Sequence, residues 1–223
     1  LALAALAAGA APHRAPAQGT RAAQGELPCG LPQGQPLWVD YADGSVPFWS
    51  TVFARPGIVG AAANFIVPPQ LRAGGAKTVY FDLNFRLRVG TPLEPFDPGV
   101  VINRANRLYS TAAMSSGCTQ PVIAENEMNG ANLVTPWTAN NAQYRRNVII
   151  YMHTLSDLGA RPVVLVPSAP DTGGEAADWW RQLSQYADIV RESYFAAPKV
   201  ARQGAVEGSR TLRAMFRKRV REF

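Results

Sequence analysis

The chain has 223 residues, 47% hydrophobic and 17% charged. That balance excludes a disordered protein and suits one large domain or two small ones. Its two cysteines and two histidines exclude a disulfide-dense miniprotein and most His-rich metal sites. No run of about 18 or more apolar residues occurs, which excludes a multi-spanning helical membrane protein. The net charge of +6 is local: residues 199–223 hold eight Lys and Arg against Glu207 and Glu222, and the rest of the chain is balanced. Such a segment reads as a solvated helix face, with a polyanion-binding tail as the competing reading. Phe216 and Phe223 fit an apolar helix face better than base stacking, so no nucleic-acid partner is expected.

The chain opens at Leu1 with LALAALAAGAAP, an apolar run followed by small residues, as in a secretory signal peptide lacking its charged start. Residues 13–24 are rich in Ala, Arg, Gln and Pro without apolar period and read as a disordered lead. Residues 1–28 are therefore expected to be leader and lead, and residues 29–223 the folded part of a secreted protein. Export would place Cys29 and Cys118 where a single bridge forms, both on the amino-terminal side of their strands; two unpaired thiols are the alternative.

Six strand-then-helix units follow. The strands are expected at Pro36–Tyr41, Gly57–Ala63, Thr78–Val89, Pro121–Glu127, Pro162–Val166 and Asp188–Phe195. Helices are expected near 46–54, 103–115, 140–158, 174–186 and 208–222; that over 140–158 carries Tyr144, Val148, Tyr151, Met152 and Leu155 at helical spacing. Alternating units predict an α/β fold with a parallel sheet. A doubly wound sheet announces itself with a Gly-rich turn after its first strand, and Tyr41-Ala42-Asp43-Gly44-Ser45 is not one. A (β/α)8 barrel of the TIM type puts polar residues at the carboxyl ends of many strands. Here they are Asp40 and Asp43, Asn64, Glu127, Ser168 and Asp171, then Glu192 and Tyr194. Six units are not eight, so the expectation is a partial barrel truncated after the sixth. In the third strand Tyr80, Asp82, Asn84, Arg86 and Arg88 alternate with apolar residues. Either Asp82 and Asn84 point into the lumen with the arginines on an extension, or the segment is a partly solvated hairpin.

The fourth strand ends in Glu125-Asn126-Glu127. Carboxylates at a strand end cost several kcal/mol to bury unless paired or solvated by a cleft, which makes them functional candidates. Glu125 and Glu127 share one face, with Asn126 on the other unless a bulge turns it. An Asn-Glu pair ending the fourth strand of a barrel resembles the clan-A retaining glycoside hydrolases. The whole chain resembles a group of secreted actinobacterial proteins of unassigned function with a glycosidase-like barrel. The resemblance implies Glu127 as the acid/base and Asn126 as the contact to the sugar hydroxyl beside the anomeric carbon. It also implies a second carboxylate about 5 Å away as nucleophile, at the end of a seventh strand that these six units do not supply.

Asp40, Glu192 and Tyr194 are further candidates for contact with sugar; turn chemistry at Asp43-Gly44 and a local Arg191–Glu192 pair are the structural alternatives. Trp49 and Trp137 follow the first and fourth strands and could stack on sugar rings, whereas Trp38 and Trp179 read as core. The chain lacks a G-x-S-x-G elbow, a phosphate loop and a zinc-type cluster; no metal or cofactor is expected, and His153 reads as solvated. The expected function is hydrolysis of a glycoside or polysaccharide, the alternative a barrel that binds carbohydrate or cell-envelope polymer without turnover.

Overall fold

The strands are short runs of β-branched and small apolar residues, the composition of strands covered on both faces. The computed structural model describes residues 3–5, 31, 37–41, 53–62, 65–126, 128, 141–167, 170, 173–191 and 197–222. They form an α/β sheet of seven strands lying in sequence order: β1 (Leu3–Ala5), β2 (Leu37–Tyr41), β3 (Ile58–Ala62), β4 (Lys77–Asp82), β5 (Val122–Glu125), β6 (Arg161–Val166) and β7 (Asp188–Arg191). Five successive parallel pairings join β2 to β7, and β1 runs antiparallel to β2 with Leu3 opposite Val39. Strand order never reverses among the described strands, so no doubly wound switch point exists there.

The described helices alternate with the parallel strands: α1 (Val67–Ala73), α2 (Arg86–Val89), α3 (Pro98–Ser116), α4 (Ala142–Asp157), α5 (Gly174–Leu183), α6 (Ala197–Arg202) and α7 (Gly204–Glu222). Side-chain alternation sorts the core into layers. Ile58 and Ala62 of β3 pack with Val67 and Leu71 of α1. Tyr80, Ile123, Val164 and Val166 pack with Leu108, Val148, Tyr151, Met152, Trp179 and Leu183 of α3, α4 and α5. The residues of opposite parity, among them Val59, Val79, Phe81, Ala124, Leu165 and Val190, form a separate buried cluster that contains no helix residue. The helices α1 to α5 thus cover one face only, the outcome of crossovers of one hand between sequential neighbours.

Local signals account for the helix boundaries. Asp97 caps α3, its Oδ1 accepting from the Gly99 amide at 2.8 Å, with Pro98 in the first turn and Gly117 in the left-handed conformation at the far end. The expected third strand over 78–89 is corrected: β4 ends at Asp82, and Arg86 and Arg88 sit on the one-turn helix α2. The alternating pattern that suggested a longer strand arises because the Asn84 amide donates to Asp82 Oδ1 at 3.0 Å and turns the chain. The carboxyl-terminal helix is also longer than expected and is preceded by α6.

After α2 the chain must reverse tightly. Gly90 does this with φ +87° and ψ −160°, and a Cβ there would lie 2.5 Å from the Glu94 carbonyl oxygen. The turn is held by Asn147 of α4, whose Nδ2 donates to the carbonyls of Val89 at 3.0 Å and Phe96 at 2.8 Å. Gly90→Ala is expected to cost on the order of 3 kcal/mol, against about 1 kcal/mol for loss of the Asp97 cap by Asp97→Ala. Urea denaturation of the two variants measures both.

Candidate functional site

At the carboxyl ends of β4 and β5 two carboxyl groups meet in register, Asp82 opposite Glu125. Both belong to the parity that faces the helices, with Tyr80 and Ile123. The expectation that Asp82 points into a lumen is therefore corrected: it points into the helix layer, where it is 2% exposed. Its charge is matched by Arg88 of α2, with Nε 2.6 Å from Oδ2 and Nη2 3.2 Å from Oδ1, a bidentate pair. Burial works against the Arg88 charge, but the Asp82 hydrogen bond and charge outweigh it and hold the guanidinium pKa above its ordinary value.

Glu125 is fully buried. Tyr151 of α4 donates its hydroxyl to Glu125 Oε1 at 2.8 Å, whereas no described residue donates to Oε2. Burial first, then the Asp82 charge, push the Glu125 pKa well above the usual carboxylate range; the Tyr151 hydrogen bond and Arg88 oppose this without reversing it. Burial and the neighbouring Asp82 charge thus favour the protonated form of Glu125. Burial and the neighbouring carboxyl groups likewise raise the Tyr151 pKa and keep its proton in place. One arginine, two carboxyl groups and one phenol form a single buried network.

The network anchors the segment that leaves β5. The Asn126 amide donates to the Asp82 carbonyl at 3.0 Å, and the Met128 amide donates to the Leu165 carbonyl at 3.2 Å. Residues 126 and 128 thus extend the ladder on both sides, toward β4 and toward β6. Tyr144 of α4 donates to the Met128 carbonyl at 3.0 Å, its own pKa raised by burial. Met128 lies in the helix-facing cluster together with Ile123. Strict alternation would put 123 and 128 on opposite faces, so the phase changes between Glu125 and Met128, the irregularity that could turn a side chain at a strand end.

Of the sequence-derived candidates, Asp40 lies on β2 in register with Ala61, and Asn126 follows β5, half-buried, at the same end of the sheet. Glu127, Trp49, Trp137, Glu192 and Tyr194 lie outside the described residues. So does Cys29; Cys118 is buried ahead of β5 and is not a free thiol. Trp179 and Trp180 are core residues in edge-to-face contact at 4.8 Å. His153 is half-exposed, with its ring 4.4 Å from that of Tyr186 and Nε2 3.2 Å from Asp157. Among the described residues no group of His, Cys, Asp and Glu could hold a metal ion.

Sequence reasoning missed Arg88 and Tyr151. The signal for Tyr151 was present: a tyrosine in the buried stripe of a helix requires a partner for its hydroxyl. No family model, curated protein or solved structure matches the chain.

An acid whose folded pKa is raised contributes stability that is present below its unfolded pKa and is lost as pH rises through the folded value. Wild-type stability is expected to fall by up to about 1.4 kcal/mol per pH unit above the ordinary carboxylate range. Glu125→Gln keeps the shape and a donor toward Asp82 and removes this component. Chemical denaturation from mildly acidic to neutral pH should show the variant gaining on the wild type as pH rises, and parallel profiles would mean that Glu125 is ionised. Arg88→Met, which strands the buried Asp82 charge, is expected to cost about 3–5 kcal/mol.

Proposed function

We propose that the protein is a secreted carbohydrate-active protein of barrel type, with its site on the rim formed by the carboxyl ends of the parallel strands. In this reading Glu127 is the acid/base that protonates the glycosidic oxygen, and Asn126 contacts a sugar hydroxyl. Asp40, Glu192 and Tyr194 line the subsites, and Trp49 and Trp137 offer stacking faces. The observation that carries the reading is the succession of parallel pairings, which brings the ends of β2, β4 and β5, with Asp40, Asp82 and Glu125-Asn126, to one edge of the sheet. Strand ends of a one-way wound parallel sheet are where such folds place their chemistry. The anchoring of Asn126 and Met128 to β4 and β6 adds a second support, because acid/base work needs a rigid mount.

A second reading, a barrel that binds carbohydrate or cell-envelope polymer without turnover, is favoured by a separate observation. Asp82 and Glu125 are committed to Arg88 and Tyr151 on the helix-facing side. Neither is available as a nucleophile.

A panel of soluble and cell-envelope polysaccharides, assayed for new reducing ends and for binding, separates the two. The hydrolase reading predicts turnover that Glu127→Gln lowers by about 100-fold or more while binding persists. The binding reading predicts no turnover by the wild type, binding retained in Glu127→Gln and binding lost in Trp137→Ala. A wild type that neither hydrolyses nor binds any of the panel overturns both.

A further inference from the structure

Four exposed large apolar side chains follow the carboxyl ends of two adjacent strands, Phe65 and Ile66 after β3, Leu83 and Leu87 after β4. Register places them on the same edge as Asn126. Ala62 pairs with Tyr80, and Phe65 and Leu83 each stand three residues further along the chain. Asp82 pairs with Glu125, and the Asn126 amide donates to the Asp82 carbonyl at 3.0 Å, so Leu83 and Asn126 are the next residues beyond a paired position.

Among the aromatic residues whose side chains are described, Phe65 alone is exposed, with 54% of its surface in solvent. The start of α1 gives it no packing role. Phe65 precedes Ile66, the N-cap residue, and an apolar residue in that place is often held against the fourth residue of the helix. In α1 the fourth residue is Gln70, which is polar and exposed. The Phe65 ring also makes no contact with another described aromatic ring. An aromatic face left in water among other exposed apolar groups, at a strand end, marks a place where something binds.

We propose that Phe65 is the stacking face of a sugar subsite on the β3–β4 side of the rim, with Leu83 extending the apolar floor toward Asn126 and the exposed Asn84 offering its amide to a hydroxyl. The proposal rests on the carbohydrate reading and adds to it a class of sugar, a neutral one. A pyranose has an apolar face of C–H groups and a periphery of hydroxyls. The phenyl ring takes the face, and the amides of Asn84 and Asn126 take the hydroxyls. None of Phe65, Leu83, Asn84 and Asn126 is charged, so an acidic sugar finds no counter-ion among them. A wholly apolar partner would leave the amides covered and unpaired, a cost that sugar hydroxyls avoid.

The test is affinity electrophoresis of the full chain in gels holding a soluble neutral polysaccharide (laminarin, xylan or galactomannan) or the anionic polygalacturonate. The expected result is retardation by a neutral polymer, weakened about tenfold in F65A and restored in F65W. Restoration by the larger ring separates stacking from a general loss of packing. I66S, on the neighbouring exposed side chain, should leave retardation unchanged, and thermal denaturation checks that each variant keeps the fold. Retardation that F65A leaves unchanged, that F65W fails to restore or that I66S weakens equally overturns the subsite while the carbohydrate reading stands. Preferential retardation by polygalacturonate overturns the neutral class and points to Arg86, exposed on α2. A wild type retarded by none of these polymers removes the carbohydrate reading and the subsite with it.

Discussion

Glu125 stands at the end of a parallel strand with none of its surface in water, and an ionised carboxylate in that position would cost several kcal/mol. Burial and the Asp82 charge favour the protonated form of the group, and the Tyr151 hydroxyl donates to it. Each partner imposes a requirement on another element. Tyr151 requires α4 to lie across the end of β5. Asp82 requires Arg88, and Arg88 requires the chain to turn into α2 directly after β4 instead of extending the sheet. That turn in turn depends on Gly90 and on Asn147, which reaches from α4 to the carbonyls of Val89 and Phe96. Sheet edge, short helix and long helix are thus bound by one buried polar cluster.

The order of the strands decides where chemistry can reside. Because every described strand pairs with its sequence neighbour, the helices α1 to α5 fall on one face. The other face is an apolar cluster made by the strands, with Leu31 packed against it. The strand side chains of both layers are apolar except toward the strand ends. There the helix-facing carboxyls are consumed by the network, and Asn126 begins the segment that leaves the sheet. The two sides of that segment are tied to β4 and β6 by backbone hydrogen bonds, and Tyr144 fixes it from above. The network is therefore the footing of the rim, and the excess of basic residues lies apart from it in sequence, in α6 and α7.

Much of the architecture was legible from residue pattern alone. The short apolar runs gave the parallel strands, and the periodicity of Tyr144, Val148, Tyr151, Met152 and Leu155 gave α4, because hydrophobic period reports directly on which face a backbone buries. Asp97-Pro98 and Gly117 mark the ends of α3 by their own conformational preferences. The gathering of the basic residues in the last helices is likewise a property of the sequence.

Tertiary structure alone decided which way the carboxyls of β4 and β5 face. Alternation says that Asp82 and Tyr80 share a side, but not whether that side meets helices or a lumen; only the packing of α3 and α4 onto it settles the matter. The same holds for protonation, since the state of Glu125 depends on burial and on a neighbour 43 residues away in sequence, Asp82. Arg88 looked like part of a strand because a one-turn helix leaves no period long enough to read. Local sequence carries information about faces and ends, whereas partners across the fold are fixed by the geometry that brings distant segments into contact.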